Sequence, residues 1–556
     1  MKSDIEIAHE AELLPIQVVA EKLGLAPDDI EPYGKYKAKL PLCLIDREKA
    51  AARKLILVSA ITPTPPGEGK TTVSIGLSEG LNRIGRQTTV VLREPSLGPV
   101  FGIKGGATGG GYSQLLPMED INLHFTGDFS AIEKSHNLLT ALIDNNIQSK
   151  NRSLNLDPRT ISWKRVMDMN DRCLRRVVIG LGGGMSGVPR ETGFDITAAS
   201  EVMAILCLAD DLGDLKKRLA NIFVGFSLDG RPVFARDLNA QGAMAALLKD
   251  AIKPNLVQTM EGNPAIMHGG PFANIAQGTN SVIATRMGLT LSDYVVTEAG
   301  FGFDLGGEKF MDIFCRSSGL FPSTVVLVVT ARALKHHGGV KPENLAKPDL
   351  RALVRGMCNL EKQVENVRLF NLTPIVAINR FQADTEDELR VIQEECRDLD
   401  VKVAVADVWS RGGEGAVELA RLVDDTATQC QAKYSPLYDS NQSVREKIEI
   451  IAKRIYGASA VEYAPWAQKD LRKINRIGLD GLPICMAKTQ SSLSDKPGLL
   501  GRPHDFEVTV REIEVATGAG FLIPITGNMM RMPGLPQVPS AERIDIDENG
   551  IITGLF

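Results

Sequence analysis

The chain has 556 residues, 44% of them hydrophobic and 24% charged, and a formal net charge of -5 at pH 7. That length exceeds one hydrophobic core, so two to four domains are expected, and mild acidity with dispersed Lys and Arg excludes the basic footprint of a nucleic-acid binder. The eight cysteines stand singly from Cys43 to Cys485 with no CxxC, which excludes a disulfide framework and a zinc site and fits a reducing cytoplasm. The acidic start MKSDIEIAHEAELLP and the lack of a long apolar run leave no signal peptide and no membrane span to expect.

Lys54–Ile61 is apolar throughout rather than alternating, which predicts a strand buried on both faces. Thr71–Ile84 then carries Val73, Leu77, Leu81 and Ile84 at helical spacing, with Gly85 placed to end the helix. Gln87–Leu92 returns to a strand and completes one βαβ unit with a right-handed crossover. Further buried strands are expected at Val177–Gly180, Ile222–Gly225, Tyr294–Glu298, Thr324–Val329, Ile375–Asn379 and Val401–Ala406, with helices at Leu350–Phe370 and Thr385–Leu399. This alternation predicts an α/β fold of the phosphate-loop NTPase kind, a mainly parallel sheet flanked by helices. Phe506–Val515 alternates apolar and polar residues, and Pro and Gly cluster in Met529–Ser540, so the end of the chain reads as a smaller α+β module. The expected division is 1–360 for a nucleotide-binding domain, 361–457 for a second α/β domain and 458–556 for the C-terminal module.

Between the first strand and helix lies TPTPPGEGKTT, Thr62–Thr72, read as a phosphate-binding loop. Such a loop aims backbone N–H groups outward at a helix N-terminus, where the dipole also favours an anion. Within Thr64, Pro65, Pro66, Gly67, Glu68, Gly69, Lys70 and Thr71, the glycines allow close approach, Lys70 can reach a phosphate oxygen, and the Thr71 hydroxyl is placed for Mg²⁺. Thr64 stands where GxxxxGK[ST] requires glycine; a chance GKT is the bland alternative, answered by the strand before it and the helix after it. The next strand runs into Arg93-Glu94-Pro95-Ser96 and the glycine-rich Gly102–Tyr112, which should face the loop across the carboxyl end of the sheet. Arg93 is a candidate to hold a transferring phosphoryl group, with Glu94 orienting Arg93 or its ligand; a surface ion pair is the alternative. His124 and Asp128 are candidates for an anion or a metal, although a lone His is as readily structural. Glycine-rich loops at Gly180–Asp195, which includes Thr192, at His268–Ser281 and at Thr297–Phe310 suggest a site around a large substrate.

Together these stretches resemble the formate–tetrahydrofolate ligase (formyltetrahydrofolate synthetase) family. The matching strings are TPTPPGEGKTT, LREPSLGPVFGIKGGATGGGY, PMEDINLHFTGD, GVPRETGFDI, KPNLVQT, HGGPFANIA, TEAGFGFDLGGEKF, RALKHHGG, GLPICMAKTQ, PITGNMMRMPGLP and IITGLF, in family order along essentially the whole chain. The resemblance implies a cytoplasmic homotetramer that joins formate to tetrahydrofolate while cleaving ATP, with Mg²⁺, through formyl phosphate. It implies that Lys70 and Thr71 serve the ATP phosphates and Mg²⁺, and that Arg93 holds formyl phosphate with help from Glu94, His124 and Thr192. Phe381 and Trp409 match the family's pair of pterin-stacking aromatics; from the residues alone, core packing is the alternative. A monovalent cation is a further ligand for which the sequence names no site. Thr108, Phe303 and Ala331 depart from the family strings, and the bulk of Phe303 is expected to narrow the ligand pocket. A phosphate-loop ligase for another carboxylate and a nucleotide switch are the competing readings. The absence of a lysine between Thr62 and Gly69 and of a CxxC counts against the switch.

Overall fold

The computed structural model describes residues 2–102, 107–430, 434–527 and 529–555. Residues 103–106 of the glycine-rich segment, Asn528 and Phe556 lie outside the described residues.

The central strands are β1 (Lys54–Ala60), β2 (Thr88–Leu92), β3 (Asn255–Thr259), β4 (Pro264–Met267), β5 (Tyr294–Glu298), β6 (Thr324–Val329), β7 (Pro374–Asn379) and β8 (Lys402–Ala406). Side by side they run β3–β4–β2–β5–β1–β6–β7–β8, within a sheet of twelve described strands. Every pairing from β4 across to β8 is parallel, while β3 joins β4 antiparallel. The helices that matter for the site are α1 (Lys70–Arg83), α2 (Asp128–Gln148), α3 (Ala331–His337), α4 (Leu350–Arg368) and α5 (Glu386–Asp398).

Side chains alternate across a strand, so each strand feeds two cores. Ile56, Val58 and Ala60 of β1 pack with Val73, Ile75, Leu77 and Leu81 of α1. Leu55 and Leu57 face the other way, into the core that holds Leu353, Met357, Leu360 and Val364 of α4. β1 is central, and the chain leaves it toward β2 and β5 on one side and toward β6, β7 and β8 on the other. Such a reversal opens a crevice outside the carboxyl ends of the strands, where an open parallel sheet binds its ligand.

Several expectations are corrected. Val177–Ile179 is not a buried sheet strand but half of a two-stranded antiparallel ribbon with Arg190–Thr192, and Val178 is 60% exposed. The apolar run there is three residues long, preceded by Arg175 and Arg176 and followed by Gly180, too short to form a core strand. Among the described residues, 223–226 pair with Pro232–Phe234, outside the central sheet. β3 and β4 had no counterpart among the expected strands. The boundary at 360/361 falls inside α4, and the sheet continues unbroken into β7 and β8, because the parallel crossover from β6 to β7 needs α4 as its connecting helix. The C-terminal sheet combines Ala460–Tyr463 with β9 (Glu507–Ala516) and β10 (Phe521–Thr526), and a bulge between Val510 and Glu512 shifts its register. It is joined to the loop after β5 by a fully buried ion pair, Lys488 Nζ to Asp304 Oδ2 at 2.8 Å.

Candidate active site

The loop between β1 and α1 is built by its own residues. Glu68, 1% exposed, accepts from the Thr64 N–H and from the Thr64 hydroxyl, each at 2.7 Å, and from the hydroxyl of Thr330, the N-cap of α3. Thr64 therefore fills the place of the usual glycine with two donors to a carboxylate that closes the loop. The Glu68 carboxylate is spent on the loop itself. Pro65 and Pro66 are exposed and have no N–H to offer, so they shape the turn that the Gly67 N–H closes on Thr64 O at 3.0 Å. Gly69 caps α1 at φ 74°, and a Cβ there would come 2.4 Å from Asn379 Nδ2. That amide, at the end of β7, donates to Glu68 O at 2.9 Å. Side chains cap α3, α4 and α5, whereas α1 has no side-chain cap hydrogen bond and no acidic residue in its first turn. Its leading N–H groups are left for an anion.

Lys70, Thr71 and Arg93 converge on Glu298, the last residue of β5. Thr71 Oγ1 donates to Glu298 Oε2 at 2.9 Å, and Arg93 Nη2 lies 3.5 Å from Glu298 Oε1. Arg93 Nη1 donates to Pro271 O at 3.2 Å, while its Nε is buried without a partner among the described residues. Burial holds the Lys70 ammonium below its ordinary value, Glu298 pulls it back up, and Arg93 pushes it further down. The parallel register of β5 beside β1 and β2 brings these groups together. Glu298 is a functional candidate missed from sequence; its only signal was a carboxylate ending an otherwise apolar strand. In the loop that follows, Phe301 takes φ 60°, a backbone state that a bulky side chain seldom adopts.

Arg93 and Glu94 are not paired with each other. Successive side chains of an extended segment point to opposite sides, and Glu94 turns into a buried polar cluster. Its Oε1 accepts from Asn255 Nδ2 at 2.9 Å; the same amide donates to Asp128 Oδ2 at 2.9 Å, and Asp128 grips Lys39 at 2.6 and 2.7 Å. Burial first and the Asp128 charge second push the Glu94 carboxyl well above the carboxylate range, with Lys39 opposing them. The cluster thus disfavours the charged form of Glu94. His124 is exposed and faces the neighbouring Asp168, which takes Ser96 Oγ at 2.5 Å and the Leu97 N–H at 2.9 Å. Burial pushes the Asp168 carboxyl up to about 6, with the hydrogen bonds from Ser96 and Leu97 drawing it back. Thr192 lies apart from these contacts, on the exposed ribbon opposite Val177.

Phe381 and Trp409 leave the carboxyl ends of the adjacent strands β7 and β8. Both are half-buried, and each ring is backed on one side. The Arg332 guanidinium carbon sits 3.8 Å from the centroid of Phe381. Trp409 lies against Gly111, whose missing Cβ would come 2.7 Å from the indole, and Trp409 O accepts from the Tyr112 N–H at 2.9 Å. Phe303, by contrast, does not narrow a ligand pocket. It is fully buried under Gly307, edge-on to Phe370 with centroids 6.0 Å apart. Phe303→Ala should therefore cost about 3–5 kcal/mol of stability in a urea titration and leave the KM for ATP unchanged.

The Trp409 loop also touches a titratable pair. Glu79 of α1 is fully buried; its Oε1 accepts the Glu261 N–H at 3.3 Å and its Oε2 has no partner among the described residues. Glu261 takes Arg83 Nε at 2.9 Å and the Gly413 N–H at 3.0 Å. Burial, and then the Glu261 charge, push the Glu79 carboxyl up to about 8. Between its ordinary value and 8, the unfolded chain has lost a proton that the folded chain still holds, so stability falls as pH rises through that window. Glu79→Gln should remove this loss: its melting temperature should gain on wild type from pH 5 to pH 8, an advantage on the order of 3 kcal/mol at the upper end.

The Thr62–Thr72 loop at the uncapped start of α1, a carboxylate gathering threonine and arginine near Lys70, and two backed aromatics at neighbouring strand ends all follow carboxyl ends of the central sheet. The family model for formate–tetrahydrofolate ligase matches residues 2–556, so the chain belongs to the formate–tetrahydrofolate ligase family and is an enzyme of that activity.

Proposed function

We propose that the chain forms 10-formyltetrahydrofolate from formate, ATP and tetrahydrofolate, with ADP and phosphate as the other products, through formyl phosphate. The observation that carries this reading is the convergence of Lys70, Thr71 and Arg93 on Glu298 beside the uncapped start of α1. Lys70 and Arg93 outnumber Glu298 in charge, so the crevice favours an anion. In the first step a formate oxygen attacks the γ-phosphorus and the bond to the ADP oxygen breaks. This chemistry depends on positioning and charge neutralisation. Lys70 and the N–H groups of α1 hold the phosphates, and the Arg93 fork spans the oxygens of the moving phosphoryl group. In the second step folate N10 attacks the formyl carbon, inorganic phosphate leaves, and the nitrogen gives up its proton. Glu94, held by Asn255, anchors the segment that carries Arg93, and Phe381 and Trp409 stack the pterin.

The oxygen donors Thr71 Oγ1 and Glu298 suit a hard cation held by one or two protein ligands together with phosphate oxygens. When bound, Mg²⁺ would neutralise charge on the transferring phosphate. A monovalent cation is assigned no residues. A phosphate-loop NTPase architecture, a homotetramer and a cytoplasmic setting complete the reading.

Omitting formate from an ATPase assay that contains tetrahydrofolate tests it. Turnover should fall to background, and an unchanged rate would mean that another carboxylate is the substrate. Trp409→Ala should raise the KM for tetrahydrofolate about tenfold, the effect of losing roughly 1–1.5 kcal/mol of aromatic contact, while the KM for ATP holds. An equal rise in both would count against stacking.

A further inference from the structure

Arg332 is the second residue of α3, and it stands where two parts of the site meet. Its Nη2 donates to the carbonyl oxygen of Gly67 in the phosphate loop. Its guanidinium carbon lies 3.8 Å from the centroid of Phe381, within range for a cation stacked on an aromatic face. The helix does not need Arg332 in order to start, because the Thr330 hydroxyl already accepts from the Ala333 N–H at 3.0 Å. An arginine serving only solubility would turn its fork to water. Here one arm is spent on the loop, one face on the ring, and Nε is buried with no partner among the described residues. Phe381 is anchored too, its N–H donating to Asp384 Oδ2 at 2.8 Å. A rigid planar group therefore runs from the loop that would hold phosphates to the ring that would hold the pterin, and it covers one face of Phe381.

A ligand that orders the loop fixes the Gly67 carbonyl, and through it the guanidinium and the Phe381 ring. The second ligand then meets groups whose freedom is already restricted, which makes the two bindings cooperative. We propose that Arg332 is a positioning residue that couples the two sites, so that nucleotide on the phosphate loop and tetrahydrofolate on Phe381 strengthen each other's binding through it. The proposal rests on the folate platform put forward above. Because the coupling is a free energy between sites, it has the same size read from either ligand.

Calorimetric titration of the full-length protein tests this. The Kd of tetrahydrofolate is measured with and without saturating β,γ-methylene-ATP and Mg²⁺, and the Kd of the analogue with and without tetrahydrofolate. In the wild type each ligand should tighten the other about fivefold or more, the low end of such couplings. Arg332→Lys keeps the charge and loses the planar fork, and it should bring both ratios to about one. Phe381→Leu keeps bulk and loses the aromatic face; it should weaken tetrahydrofolate binding and also erase the ratio. A wild-type ratio of one, or a wild-type ratio retained in Arg332→Lys or in Phe381→Leu, overturns the coupling. Unchanged tetrahydrofolate affinity in Phe381→Leu would instead overturn the platform on which the proposal rests. Weakened affinity with the ratio retained would overturn the coupling alone.

Discussion

Lys70→Ala should abolish ATP-dependent formation of 10-formyltetrahydrofolate, lowering kcat by about 10²–10³ or more, the effect of removing one well-placed charge-stabilising donor. Lys70 is the first residue of α1, at a helix end without a side-chain cap, and only Arg93 shares its sign among the groups drawn to Glu298. Removing it leaves one cation against one carboxylate just where a triphosphate must sit, so ground-state nucleotide binding should weaken as well. The proposed aromatic platform follows the ends of β7 and β8 and does not depend on the ammonium. Tetrahydrofolate binding followed by tryptophan fluorescence should therefore stay close to wild type. Product formation from labelled formate checks the first half, and normal turnover would remove Lys70 from the role given it here.

How legible this site was depended on how local its contacts are. The strand and helix around Thr62–Thr72 were plain, since strand, turn glycines, lysine and helix follow one another directly in the chain. β6 was equally plain, because a strand buried on both faces carries a long apolar run, and β5 opens on one. β3 escaped notice because its polar residues work inward. Asn255 bridges Glu94 and Asp128, and Gln258 binds both the N–H and the carbonyl of Leu14. Those side chains break the apolar pattern that marks a strand. Val177–Ile179 failed in the opposite sense, an apolar run with no partner surface to bury it.

The electrostatics were the least readable part. Arg93 and Glu94 sit together in sequence and suggest an ion pair, yet each answers to a residue far along the chain. Arg93 meets Glu298 and Glu94 meets Asn255. The upward shift of the Glu94 carboxyl belongs to that remote cluster, and no local spacing encodes it. The same holds for the irregular Thr64. Its reason is a glutamate four residues on whose other oxygen is held from α3. Phe303 was misjudged because the string around it shows its size but not its direction, which is into the core beside Phe370.

Glu298→Gln should be nearly as damaging as the loss of Lys70, and for a different reason. The substitution keeps the shape and still lets the amide oxygen accept from Thr71, but the charge that draws Thr71, Arg93 and Lys70 together is gone. A fall of about 10² in kcat is expected, along with roughly a tenfold higher Mg²⁺ requirement, since an amide oxygen is a poorer ligand for a hard cation than a carboxylate. The pH profile supplies the sharper test. Burial and Arg93 both favour the neutral amine at Lys70, and Glu298 is the strongest influence holding the proton on. Without it the ammonium is lost at lower pH, so the alkaline limb of kcat/KM for ATP should move toward acid. Glu298→Asp keeps the charge and should leave that limb in place while still lowering the rate through the shorter reach. If the alkaline limb stays put in Glu298→Gln, the carboxylate does not set the charge of Lys70, and its part is confined to holding Thr71 and Arg93.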